Sequence, residues 1–200
     1  MKNIQFYLLI SISLIIFSCS EKKTSDEIKT EKVEPDIKIL SEVIIDKELG
    51  ISYQVPLEWE LMSSELSERY VARLDAEKYD GNFVVYQPKA FYFNASVAGL
   101  LRVGSVTKSE DSKENELTIE HYIALYKKFN SEKNIRRKII KTNNLTITQL
   151  IIEKSNLVSF KNILMNKNNK IVQFDFSIQR KDYENSKNSI ETSLASIKNL

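Results

Sequence analysis

Cysteine occurs once in this chain, at position 19, and histidine once, at position 121, so the chemistry open to it is narrow. Cys19 closes a basic-then-apolar leader: Lys2 is followed by an uncharged, mostly apolar stretch over residues 4–17 and then by Ile16-Phe17-Ser18-Cys19. A run near 14 residues is the length of a signal-peptide core and too short for the roughly 20 apolar residues of a membrane span. A small residue before the cysteine fits a lipobox, in which the thiol is acylated and the chain is cut before it. The expected chemistry at Cys19 is therefore lipid attachment, with residues 1–18 as a lipoprotein signal peptide. An acylated Cys19 leaves no thiol for a disulfide, a metal site or a nucleophile.

The other chemically capable residues do not assemble into a motif. His121 is expected on a solvated helix face, and no Gly-x-Ser-x-Gly elbow places a serine for it to activate. One His and one Cys cannot furnish a zinc site of ordinary composition. Asp75, Glu77 and Asp80 lie beside Gly81, but their spacing departs from a calcium loop. The four glycines form no phosphate-cradling loop. No catalytic residue, cofactor or metal site is read. Glu58, Glu60, Glu65 and Glu68 surround Trp59 and keep a carboxylate-based hydrolase open as the alternative function. Six aromatics, Tyr79, Phe83, Tyr86, Phe91, Tyr92 and Phe93, fall within 15 residues. Core packing is their default role, and Tyr79, Tyr86 and Tyr92 are the candidate binding surface if the cluster is exposed.

The elements that must position these residues can be read from periodicity. Residues 19–41 begin with the cysteine and continue as a highly charged, Pro35-containing stretch that cannot bury enough apolar surface to order itself, so a disordered tether is expected. The folded part is expected over residues 42–200, as one α+β domain. Val43-Ile44-Ile45 and Ile51 to Val55 read as a hairpin around Gly50. Ser63 or Ser64 starts a helix, and short strands follow at Phe83 to Gln87 and Phe91 to Val97. Ala98 to Val106 is ambiguous, and Lys108 to Glu116 reads as a loop. Thr118 caps a helix whose Ile119, Tyr122, Ile123, Tyr126 and Phe129 share a stripe. Arg136 to Thr142, Leu145 to Lys154, Leu157 to Asn166 and Lys170 to Gln179 read as a four-stranded antiparallel meander with Asn-rich turns. In its last strand Val172, Phe174, Phe176 and Ile178 should be buried, and Gln173, Asp175 and Ser177 wetter. Asp182 is expected to cap a final helix with Tyr183, Ile190, Leu194 and Ile197 on its apolar stripe.

Two segments carry a family resemblance. Gly50-Ile51-Ser52-Tyr53-Gln54-Val55-Pro56-Leu57-Glu58-Trp59 resembles the opening strand of PsbP-like domains, and Ile171 to Lys198, ending in Ser196-Ile197-Lys198, resembles their closing strand and helix. The resemblance implies an α/β/α sandwich on an antiparallel sheet and a non-enzymatic binding or assembly role, with no catalytic residue to carry over. Together with the leader, it implies a lipoprotein anchored in the cell envelope with an envelope protein as partner; Ser20, in place of the Asp that retains lipoproteins in the inner membrane of enteric bacteria, points to the outer membrane facing the periplasm, with surface exposure as the alternative. Lys and Arg are dispersed among Asp and Glu at a net charge of +2, so no basic face argues for nucleic acid.

Overall fold

The computed structural model describes residues 28–75, 84–108, 117–130, 134–142 and 145–200. Chain order runs β1 (Lys29–Lys32), β2 (Ile44–Asp46), β3 (Ile51–Tyr53), β4 (Glu60–Leu61), α1 (Ser64–Asp75), β5 (Val84–Asn94) and β6 (Gly99–Lys108). It continues through α2 (Ile119–Phe129), β7 (Ile135–Thr142), β8 (Leu145–Glu153), β9 (Leu157–Met165), β10 (Ile171–Gln179), α3 (Tyr183–Ala195) and β11 (Lys198–Asn199). Eight strands form one sheet in the order β1-β7-β8-β9-β10-β6-β5-β4, and β11-β3-β2 form a second. Pairing is antiparallel except where β1 joins β7.

Side-chain alternation along the strands gives the large sheet two buried faces. On one, Ile140, Ile147, Phe160, Phe174 and Phe176 pack beneath Ile190 and Leu194 of α3 and Ile51 and Tyr53 of the small sheet. On the other, Leu150, Ile163 and Ile171 meet Tyr122, Ile123 and Tyr126 of α2, and Tyr70 of α1 lies 6.2 Å from the Phe91 ring. Helices thus cover both faces of a mostly antiparallel sheet, the α+β sandwich that the opening strand and closing helix lead one to expect.

Local signals worked where they were strong. The meander β7-β8-β9-β10 has the expected strands and order. In the β9–β10 turn Asn169 takes φ 58°, and the Asn166 carboxamide oxygen accepts from the Asn168 and Lys170 amides at 2.8 and 2.9 Å, a side-chain turn of the kind asparagine favours. The Thr118 hydroxyl accepts from the His121 amide at 3.1 Å and caps α2, and Gly50 adopts φ +66° in the β2–β3 connection. The Asn143-Asn144 turn and residues 109–116 lie outside the described residues.

Other expectations are corrected. The folded part does not begin at residue 42: within the stretch read as a tether, Lys29–Lys32 pairs with β7, and Leu40 is buried and bridges Pro56. Charges along a strand do not prevent pairing at a sheet edge, where both sides can stay wet, and they blunt that edge against further strands. Gln173 and Asp175, expected on a wet face, are 0% and 3% exposed. The α2 layer closes that face, and Asp175 Oδ2 accepts from Arg102 at 3.0 Å and Lys161 at 2.8 Å. Asp182 stands at the start of α3 after a 3-10 turn, yet its side chain makes no capping bond. Helix α3 stops at Ala195, and buried Ile197 lies beyond it, leading into β11, which pairs with β3.

Phe91 to Val97 and the ambiguous Ala98 to Val106 resolve into a long hairpin, β5 and β6. Its register slips between Pro88 and Ala90. Gly104 makes the slip feasible, because a Cβ there would stand 2.0 Å from the Gln87 carbonyl oxygen. Tyr86 pairs with Val106 and Tyr92 with Leu101, so the extra residue puts two tyrosines with an even sequence separation on opposite faces of the sheet.

Candidate ligand cleft at the β1 edge

Among the described residues, the positions singled out in sequence do not form a site. Cys19, Tyr79, Glu77 and Asp80 lie outside the described residues, and Asp75 is the last residue of α1. Tyr92 is 5% exposed, and its hydroxyl lies 3.0 Å from that of Tyr53. Burial pushes both phenols to higher pKa. Tyr92 is therefore a core residue, not part of a binding surface. Tyr86 faces the α2 layer, where the Lys161 ammonium lies 5.6 Å from its ring centroid, and its buried hydroxyl is pushed far up in pKa by desolvation and by the charge of Asp175. Of the two candidate tyrosines among the described residues, Tyr92 is buried and Tyr86 buries its hydroxyl.

The carboxylates near Trp59 do not converge either. Trp59 is 5% exposed and stands edge-on to Phe176 at 5.4 Å, whereas Glu58, Glu60, Glu65 and Glu68 are exposed. Glu65 is held by Arg69 one turn on, at 2.7 Å. A hydrolase of this kind needs two carboxylates facing each other across a cleft, and that geometry is not built there. His121 is half-buried rather than fully solvated. Among the described residues no cluster of His, Cys, Asp and Glu is arranged to hold a metal, and no helix is long and apolar enough to cross a membrane.

A cleft of about 450 Å³ opens instead where β1, β7 and β8 meet α3. The sheet register builds its floor: Lys138 of β7 stands beside Gln149 of β8, and Gln149 beside Asn162 of β9. Gln149 is 2% exposed and donates to the Asn162 carboxamide at 2.8 Å, while Asn162 donates to the Phe174 carbonyl at 2.9 Å. This satisfied amide ladder in an apolar core fixes the floor in one arrangement. Phe160 and Tyr183, stacked with centroids 5.5 Å apart, form the apolar wall.

Lys138 organises the wall nearest the chain's start. It pairs with Glu31 of β1 and, at 2.9 Å, with Glu191 of α3. Burial by itself would lower its pKa, but hydrogen bonds to the two carboxylates outweigh that and raise it. The same bond from Lys138 lowers the pKa of Glu31. A lysine used as nucleophile or base needs a depressed pKa, so Lys138 is a fixed cation that clamps β1 to α3.

With both carboxylates taken up by Lys138, the cleft keeps a cationic rim. Arg136 shares Glu153 with Arg180, and among the described residues Lys29 and Lys187 have no carboxylate within ion-pair distance. Lys187 is close enough to Glu31 to help lower its pKa. The arrangement can bind an anionic group over a hydrogen-bonded floor and beside an apolar wall, and its described lining presents no serine, threonine or cysteine. None of these residues reads in sequence as part of a site; Tyr183 is expected there only on the apolar stripe of the last helix. Glu31 sits in a run of charges, and Lys138 and Glu191 are 53 positions apart, so only their meeting in space marks the site.

No family model and no curated protein matches the chain. Solved structures do. The solution structure of cyanobacterial PsbP (CyanoP) from Synechocystis sp. PCC 6803 is 14% identical with a TM-score of 0.47, over 80% of this chain and 92% of that one. A crystal structure from Bacteroides thetaiotaomicron VPI-5482 is 13% identical with a TM-score of 0.40, over 76% of this chain and 45% of that one.

Proposed function

We propose that this chain is a lipid-anchored envelope protein, attached through Cys19, whose domain is a non-enzymatic binding or assembly module that engages an envelope partner through the β1 cleft. The outer membrane, with the domain facing the periplasm, is its proposed location, since Ser20 is not the Asp that retains lipoproteins in the inner membrane of enteric bacteria. The observation that carries the reading is the clamp itself: the strand nearest the leader forms one wall of the cleft, and its position is set by Lys138. Nine residues separate Cys19 from Lys29. Fully extended, they reach roughly 35 Å, so an anchored domain would hold the cleft close to the membrane surface.

Lipid labelling and fractionation of Cys19→Ala test the anchor. The variant should fold normally, take up no palmitate and leave the membrane fraction or accumulate uncleaved; normal labelling would refute the reading. Photo-crosslinking from position 187 in intact cells tests the module, with an envelope protein as the expected product. Crosslinks confined to solvent or lipid would refute it.

A further inference from the structure

We infer that the β1 cleft takes an acidic peptide segment, held between Lys29 of β1 and Lys187 of α3, and that this ligand fastens β1 to the sheet edge. The inference deepens the binding-module reading and rests on it.

Three observations lead there. First, the two lysines stand on different elements at the rim of one cleft, and among the described residues neither has a carboxylate within ion-pair distance, whereas Lys138 between them pairs with both Glu31 and Glu191. Surplus cations over a rigid hydrogen-bonded floor select an anion. Second, the wall between the cations is apolar, with Ile151, Phe160 and Tyr183, so the ligand that fills about 450 Å³ must carry carbon as well as charge. A segment that alternates acidic and apolar side chains does so. The two cations stand on different elements across that wall, so a chain that carries carboxylates at intervals answers both, whereas a phosphatidylglycerol headgroup brings a single charge; this favours the peptide over the anionic lipid. Third, β1 is a four-residue edge strand with all of its residues exposed, so its docking is among the weakest contacts of the fold. A ligand that bridges β1 and α3 binds only the docked form and must stabilise it by linkage.

Fluorescence anisotropy of the full chain in detergent micelles, with a labelled Glu-Leu-Glu-Leu-Glu peptide as probe, reads the binding. Hydrogen exchange at Lys29–Lys32 reads the docking. Lys29→Gln and Lys187→Gln together should weaken binding about tenfold, the scale expected for losing two exposed ion pairs, and added salt should weaken it further. Exposed Lys47→Gln should leave affinity unchanged. Peptide should slow exchange in β1 of the native chain and not in the double variant. Equal weakening by Lys47→Gln, unchanged binding in the double variant, or unchanged β1 exchange would overturn the inference. So would capture of phosphatidylglycerol vesicles through the same lysines in place of the peptide. Position-187 crosslinks to an envelope protein without peptide binding would overturn it and leave the binding-module reading standing.

Discussion

Lys138→Met removes the one charge that holds β1, the sheet and α3 together while keeping most of the side chain's volume. Lys138 and Glu191 are 12% and 13% exposed, and Glu31 is 47% exposed. Stranding one member of a buried pair costs about 3–5 kcal/mol. The cleft admits water and Glu31 is half solvated, so the expected cost lies lower, at about 2–3 kcal/mol. Most of it should come from Glu191 left without its cation, and Lys138→Met/Glu191→Leu should therefore recover to within about 1 kcal/mol of the native chain. Urea unfolding measures both, with Trp59, the only tryptophan and 5% exposed, as the fluorescent reporter. Hydrogen exchange in β1 should accelerate in both variants. The clamp also sets a pH window. The lowered pKa of Glu31 means that its contribution is present above the unfolded value of about 4.3 and lost as pH falls through the folded one. The raised pKa of Lys138 means that its contribution is present below about 10.4 and lost as pH rises through its folded value. Protection of β1 should be flat between these limits and decline on both sides. A single-variant cost below about 0.5 kcal/mol, or a double variant no better than the single, would refute the reasoning, because a buried carboxylate without its cation cannot be that cheap.

Gly104→Ala would drive a Cβ to 2.0 Å from a main-chain oxygen and should cost about 3 kcal/mol or lose the β5–β6 register, seen in thermal melts; Gly99→Ala meets side chains rather than main chain, the rim of Trp59 at 2.8 Å and a Val97 methyl at 3.1 Å, and should cost less. Phe174→Ala empties a 1%-exposed site against the Tyr53 ring at 5.2 Å and should cost about 3–5 kcal/mol, with Leu194→Ala at about 2–5 kcal/mol; a melt like the native chain's would contradict the packing described. Tyr92→Phe leaves the buried Tyr53 hydroxyl unpaired and should cost about 1–2 kcal/mol in urea, whereas Tyr53→Phe/Tyr92→Phe together should cost less than the two single changes summed.

Strong local patterns carried over into the fold. The meander needed only alternation plus asparagine turns, and α2 needed only Thr118 and its stripe, because each depends on contacts within a few residues or between adjacent strands. Elements decided by distant partners were not legible. Lys29–Lys32 has the composition of a tether and becomes a strand because β7 offers an open edge and Lys138 a counter-charge. Gln173 and Asp175 have the polarity of a solvated face and are buried because α2, from an earlier part of the chain, closes over them with Arg102 and Lys161 to pair the charge. Tyr86 and Tyr92 part company at a bulge that depends on Gly104, across the hairpin. The cleft is the extreme case, assembled from a charge near the start, one in the middle and one near the end of the chain. Sequence by itself determined the inventory of chemistry, with a single thiol after an apolar stretch and a single histidine, and the periodic elements of an α+β domain. Tertiary structure alone decided which charges meet, because pairing energy depends on distance and burial, and neither is encoded in the order of residues along the chain.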